Sequence, residues 1–471
     1  MLLLIGILAY VSVQLAIGWW VSRFIKTEID YLLAGRQLGY VLGTFTIFAT
    51  WFGAESVIGA SGAIYDGGLA GGSADPFGFG LCLVIMGIVF AIPLWKKQLT
   101  TLADLFRERY SPKVEKIAVF MMIPSTLMWA AAQIRAFGQV LTASSGLELT
   151  TAITIAATIV IIYTVLGGLL AVAYTDLIQG VVLIFGLLAL FFLVLFNEPQ
   201  IGQIWTSIDP DRLTLRQPPG TSILDRIDIW AIPLCGSVVA QELVARVIAT
   251  RSPKVAQRSS IAAGSMYLGF GLIPAFIGLV GLHLMPGLED TEQIIPLMAQ
   301  TYMPTILYII FAGALVSAIL STVDSALLVA SSLVSHNIIV QRNPDMPEMK
   351  KVTWARFFVF IFGLIAWFVA INAEGVYNLV VDAAAFGTAG IFTIVVFGLF
   401  TRFGGKHSAA VTMIVAMTVW LSATYIFELS WAYLLSLFCA LGTYAIGAVI
   451  ENRMDGTGSA GNSAASIPRT P

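Results

Sequence analysis

Residues 48–68 read FATWFGAESVIGASGAIYDGG. The segment is apolar enough to enter a bilayer, yet at hydrocarbon depth it carries Gly53, Gly59 and Gly62 and a carboxylate, Glu55. Clustered glycines and polar side chains weaken a membrane helix, and backbone carbonyls freed by a break become ligands for an ion. Small residues also let two helices approach closely, and the glycines alone favour such a simple packing seam. Glu55 tips the reading toward a broken helix, because carboxylates are costly inside a membrane and mark pathways for ions or solutes.

The chain around this segment has a membrane protein's composition. Of 471 residues, 58% are hydrophobic and 11% charged, against roughly 45–50% and about 25% in soluble proteins. Mean hydropathy is +0.89, so lipid must be the solvent for most of the surface. Apolar stretches of about 20 residues predict an all-α integral membrane protein with thirteen transmembrane helices. They fall at 2–22, 40–63, 76–96, 115–142, 149–168, 174–196, 228–248, 261–285, 303–336, 354–373, 376–400, 406–426 and 429–450. The first has no charged n-region or cleavage site and reads as a retained span. Cys82, Cys235 and Cys439 lie far apart in apolar stretches, as small buried hydrophobes do.

Charge sets the orientation. The connections at 23–39, 97–114 and 246–260 carry Arg23, Lys26, Arg36, Lys97, Arg107, Arg109, Lys113, Arg246, Arg251, Lys254 and Arg258, whereas 64–75, 143–148, 286–302 and 427–428 carry no Lys or Arg. By the positive-inside rule the N-terminus is outside and the C-terminus cytoplasmic, in a cell inner (plasma) membrane. The exception is 197–227, with Arg212, Arg216 and Arg226, a loop long enough to weigh little. The net charge of −2 and the lack of a basic run argue against a nucleic-acid partner. No Walker A loop, HExxH or nucleophile elbow occurs, which leaves an ATP-driven pump or a membrane hydrolase without its machinery. The expected partners are a small-molecule solute and the lipid bilayer, with no nucleotide.

Without the first span and the last two, ten remain. They form two five-helix units, 40–196 and 228–400, flanked by 1–39, the extracellular loop 197–227, two C-terminal spans at 401–452 and a tail at 453–471. Five spans per unit start the second unit from the opposite side of the membrane, the condition for an inverted repeat. From Asp455 the tail is rich in Gly, Ser and Ala and is expected to be disordered. The ninth span holds Ser317, Ser321, Thr322, Asp324 and Ser325. Ala318, Ser321, Thr322 and Ser325 share one helical face, and hard cations want oxygen ligands. Hydroxyls of this kind also bond back to the preceding turn of their own helix.

Three stretches resemble the sodium:solute symporter family: DYLLAGRQLG (30–39), YTVLGGLLAVAYTDLIQ (163–179) and SAILSTVDSALLVASSLVSHNI (317–338). The resemblance runs over residues 1–450 and implies the leucine-transporter type of fold, with its 5+5 inverted-repeat core. It implies a coupling Na+ held by carbonyls of Ala49, Phe52 and Ala318 and side chains of Ser321 and Thr322. A second sodium, present in some members, would use Asp176, Ser321, Asp324 and Ser325; such members carry a serine where Asp324 stands. The implied solute positions are Trp51, Glu55, Ser56, Asp75, Phe79, Trp129, Gln133 and Gln241. Trp51 and Trp129 give a partial resemblance to the choline transporter branch, whose further tryptophan aligns with Ala240.

The residues carry bland readings too. Each tryptophan can be a packing or interfacial aromatic. Arg135 can pair or snorkel, Glu242 and Arg246 can pair at i,i+4, and Asp382 can line a cavity. The function expected is sodium-coupled import of a small organic solute (amino acid, betaine or choline-like) by alternating access, with no enzymatic activity. A proton-coupled symporter and a membrane solute sensor are the alternatives.

Overall fold

A computed structural model describes residues 27–462 except 167, 168, 219 and 344, together with Ala9, Ser12 and Ala16. The expected first span therefore lies almost wholly outside the described residues, as do Arg23 and Lys26. The described chain is all-helical, with one isolated bridge between Leu38 and Thr250.

In chain order the helices are α1 (Glu28–Leu33), α2 (Tyr40–Trp51), α3 (Ala54–Gly67), α4 (Ser73–Lys96), α5 (Leu102–Arg109), α6 (Pro112–Ser145), α7 (Leu149–Leu166) and α8 (Leu169–Asn197). They continue with α9 (Ile223–Val239), α10 (Gln241–Ile248), α11 (Pro253–Leu284), α12 (Ile294–Tyr302), α13 (Thr305–Val340), α14 (Glu348–Asn372), α15 (Val376–Ala385), α16 (Thr388–Phe400), α17 (Lys406–Tyr425) and α18 (Ala432–Asn462).

Eight of these helices are long and apolar enough to cross a membrane, or up to eleven spans if each bent pair counts once. The bent pairs are α2/α3 and α9/α10, each at 46°, and α15/α16 at 44°. The expected thirteen are not reached. Span 2–22 lies almost wholly outside the described residues, and α7 offers only a shorter apolar stretch, Leu149–Ile162. The last helix also runs to Asn462, into the segment expected to be disordered, because an established helix adds one hydrogen bond per residue; 463–471 lie outside the described residues.

The broken helix α2/α3 sits at the centre, packed on α8, α11 and α13. Its glycines divide by role. A Cβ on Gly59 would meet the Tyr377 backbone at 3.3 Å, and one on Gly62 the backbone of Thr291 and Glu292 at 3.1 Å. Those two are close-packing residues. Gly53 is different: its nearest neighbour would be Ala318 at 3.9 Å, so it serves the break and not a seam. Arg212, from the loop that departed from the charge rule, donates to the carbonyls of Ile64, Tyr65 and Asp66 at 3.2, 2.6 and 3.0 Å. It caps the C-terminal end of α3, where a cation is favoured.

Candidate functional site

The site grows from the break. Helix α2 ends at Trp51, Gly53 N–H turns back to the Trp51 carbonyl at 3.1 Å, and the chain re-enters helix at Ala54 through a π-helical turn. Beside the break, α13 runs parallel enough for Thr322 Oγ1 to lie 3.1 Å from the Ala49 carbonyl oxygen and 3.1 Å from that of Ala318. A hydroxyl has one proton and can donate to only one of them. The surplus of buried oxygen lone pairs suits a hard cation. Ser321, expected in the same ligand set, points its hydroxyl to Asp176 instead.

Asp176 belongs to a neighbouring polar cluster. It accepts hydrogen bonds from Ser321 and, at 2.5 Å, from Thr46. Arg246 is fully buried among these groups. Its Nε donates to Thr46 O (3.1 Å) and Oγ1 (3.2 Å), Nη1 to the Glu242 carbonyl oxygen (3.2 Å) and Nη2 to Ser325 Oγ (2.5 Å). Asp324 is buried nearby, and neither carboxylate oxygen accepts a hydrogen bond. Asp176, Ser321, Ser325 and Asp324 are thus brought together, but with a guanidinium already on Ser325. Arg246 therefore already donates to one hydroxyl of the set expected for a second sodium.

The expected solute residues divide in two. Trp51, Trp129 and Gln241 line one cavity, with α6, α9, α10 and the α15/α16 break as its walls. Phe79 completes an aromatic cluster: its ring centroid is 5.6 Å from that of Trp51 and 6.5 Å from that of Trp129, while the two tryptophans are 5.9 Å apart. Gln241 Oε1 accepts from Leu102 N–H at 2.7 Å, so it also ties α10 to the start of α5. Glu55, Ser56, Asp75 and Gln133 do not line this cavity. They form a buried network around Tyr267, a residue that nothing in the sequence singled out.

Tyr267 Oη lies 3.3 Å from Glu55 Oε1, 3.1 Å from Asp75 Oδ2, 3.2 Å from the Trp51 carbonyl and 2.6 Å from Ser56 Oγ. Ser56 reaches Asp75 Oδ1 at 2.8 Å, and Gln133 Nε2 donates to Glu55 Oε2 at 3.3 Å. Asp382 is exposed, whereas its neighbours Ala383 and Ala384 face the cavity. Arg135 donates to the Glu374 carbonyl at 3.1 Å, at the loop before α15.

Above the network, Glu292 Oε1 accepts from Val376 N–H at 2.6 Å and fastens the loop before α12 to the first turn of α15. Gln139 donates to Asp290 at 2.7 Å in the same layer. Burial holds the Glu292 carboxyl above its ordinary value of 4.5; the Val376 amide opposes this and the Asp290 charge adds to it.

A helix bundle with broken helices meeting at a buried, oxygen-rich centre defines a secondary transporter. The chain belongs to the sodium:solute symporter family, whose sequence profile matches residues 31–416. It is 27% identical over 421 residues to the high-affinity choline transporter 1 of Caenorhabditis elegans, covering 80% of this chain and 70% of that protein. It is 28% identical over 408 residues to the sodium/pantothenate symporter of Haemophilus influenzae, covering 82% of each. The fold is that of a solved Na+-coupled sialic acid symporter, with a TM-score of 0.83 at 20% identity over 96% of this chain and 98% of that one. The protein is a multi-pass membrane transporter and not an enzyme.

Proposed function

We propose that this protein is a sodium-coupled symporter that imports a small amine-bearing organic solute by alternating access. The observation that carries the reading is the meeting of Ala49 O, Ala318 O and Thr322 Oγ1 at 3.1 Å beside the α2/α3 break. Sodium entering there, with Phe52 O and Ser321 Oγ drawn in as further ligands, ties α2 to α13 and stabilises the outward-open arrangement. The solute then binds against Trp51 and Trp129, whose faces suit an ammonium group. Coupling follows only if the solute binds the sodium-loaded state more tightly than the empty one. The 46° bend in the opening helix of each five-helix unit supports the inverted repeat, and the basic loops support an outside N-terminus with a cytoplasmic C-terminus.

The driving force is adequate. One sodium crossing about 100 mV gains about 2.3 kcal/mol, and a tenfold gradient adds about 1.4 kcal/mol. Together they sustain roughly 500-fold accumulation. Uptake of a labelled amine into proteoliposomes under an imposed sodium gradient tests the reading; equal uptake with sodium replaced by potassium refutes it.

One observation favours proton coupling as a second reading. Glu55 and Asp75 both lie within 3.3 Å of Tyr267 Oη, which has a single proton to give. Uptake that follows an imposed pH gradient and ignores sodium selects that reading.

A further inference from the structure

Glu242 stands in the first turn of α10, just after the break at Ala240, and lines the same cavity as Trp51 and Trp129. It is 5% exposed, and its Oε1 accepts no hydrogen bond. The i,i+4 partner that spacing offers is Arg246, but its guanidinium hydrogen-bonds the Glu242 backbone carbonyl, Thr46 and Ser325, and none of these bonds reaches the Glu242 carboxylate. A buried carboxylate oxygen with no donor is expensive and calls for an explanation.

Two further groups of the cavity lining are orphaned as well. Trp129 Nε1–H and Ser237 Oγ are buried without a partner. The other hydroxyls on the wall are engaged: Ser125 donates to the Ala383 carbonyl and Thr388 to that of Ala384, each at 2.6 Å, and the Thr126 side chain hydrogen-bonds the Glu242 carboxylate. Among the described lining residues there is no Lys, Arg or His. The cavity therefore offers one negative charge, one obligate donor, one hydroxyl that can donate, and two indole faces.

We propose that Glu242 is the counter-ion of the transported solute, and that the solute is a monovalent amino-alcohol cation, primary or quaternary, rather than a zwitterionic amino acid or betaine. The inference rests on the symporter reading above and narrows its substrate. The ammonium sits against Glu242 and the tryptophan faces, while Trp129 Nε1–H and Ser237 Oγ donate to the solute hydroxyl oxygen. A solute carboxylate would bring a second negative charge into a lining that holds no cation.

Four small probes test this on the purified full-length protein in saturating sodium: ethanolamine and choline as cations, serine and glycine betaine as zwitterions. The wild type is expected to bind at least one cation about tenfold or more tighter than either zwitterion. Glu242→Gln, which conserves volume, should weaken that cation by about 30-fold or more, since losing one member of a buried charge pair is a large effect. Glu242→Asp should restore part of the affinity. Trp129→Phe should weaken choline yet leave tetramethylammonium, which lacks the hydroxyl, within about twofold. Zwitterions bound as tightly as cations, or a folded Glu242→Gln protein with unchanged cation affinity, would overturn the proposal. If Glu242→Gln does not fold, Glu242→Asp is read against the same criterion: an unchanged cation affinity and an unchanged preference overturn it. Repeating the titrations in potassium separates the two readings. Cation preference without sodium dependence removes symport and leaves Glu242 its role; sodium-dependent binding without cation preference does the reverse.

Discussion

Replacing Thr322 by valine removes one hydroxyl and leaves the branched shape, so its effect on sodium can be worked from the geometry. Thr322 Oγ1 is 3.1 Å from two carbonyl oxygens on different helices, and the residue is 2% exposed, so no water can replace the lost oxygen without repacking. An oxygen ligand on a desolvated monovalent cation resembles a hydrogen bond to a charged group, worth about 1.5–3 kcal/mol. That corresponds to a rise of about 10- to 150-fold in the sodium concentration for half-maximal uptake. The same hydroxyl also links α2 to α13 when no ion is bound, and losing that link costs about 0.5–1.5 kcal/mol of stability in any salt.

Two readouts separate these effects. A ligand role predicts that sodium no longer raises the thermal midpoint of Thr322→Val, whereas saturating sodium stabilises the wild type by about 2.7 kcal/mol at a hundredfold over its Kd. A packing role predicts an equal drop with and without sodium. Thr322→Ser keeps the oxygen and should stay near wild type in both assays. Unchanged sodium activation and an unchanged sodium-induced shift in Thr322→Val would refute the assignment.

The other predictions address the neighbours of this centre. Trp51→Ala should raise the solute Kd about 2- to 30-fold, as loss of a cation–π contact worth roughly 0.5–2 kcal/mol implies; calorimetric titration showing no change would remove Trp51 from the solute site. Arg246→Lys should destabilise the protein by roughly 3 kcal/mol or more in thermal unfolding. A lysine cannot reach Thr46, the Glu242 carbonyl and Ser325 at once, and each lost bond from a charged donor counts for about 1.5–3 kcal/mol. A midpoint matching wild type would show that the buried fork is dispensable. Glu292→Gln should flatten the pH dependence of stability. Burial raises the Glu292 carboxyl above 4.5 in the folded protein, so the stability linked to its protonation is complete below the unfolded-chain value and is lost as pH rises through the raised one. The wild type should therefore lose thermal stability over that window and the glutamine variant should not; identical pH profiles would rule this out.

Much of the fold was legible because bilayer thickness imposes a length on every apolar stretch. The three bent spans fall where three of the thirteen expected helices were placed, and the first break falls at Gly53. The second break was not legible. The sequence around Ala240 contains no glycine at the bend itself, and Gly236 is a packing residue, since a Cβ there would meet the Ala384 carbonyl at 2.1 Å. Contacts distant in sequence accompany that bend, among them Gln241 on the Leu102 amide. Tyr267 was hidden for a related reason. It is one aromatic in an apolar helix, and only the fold brings it against Glu55, Ser56 and Asp75, which lie 212, 211 and 192 residues away.

The two carboxylates beside the breaks show why helical spacing misleads at such places. Glu55 follows Trp51 by four residues, which in an unbroken helix would set both on one face. The interruption at Phe52–Gly53 and the π-helical turn after it reset the phase, and Glu55 turns from the cavity toward Tyr267 and Gln133. Glu242 precedes Arg246 by four residues within one helix, and there the spacing itself holds. What fails is the assumption that neighbours on a face must satisfy each other. Arg246 finds donors' partners on α2 and α13, and the carboxylate, placed in the first turn after the break, is left facing the cavity. A break in a membrane helix thus does two things at once: it releases backbone oxygens for an ion, and it re-aims the first charged side chain beyond it. Local pairing rules read through such a break set Glu55 beside Trp51, whereas the carboxylate that lines the cavity with Trp51 and Trp129 is Glu242.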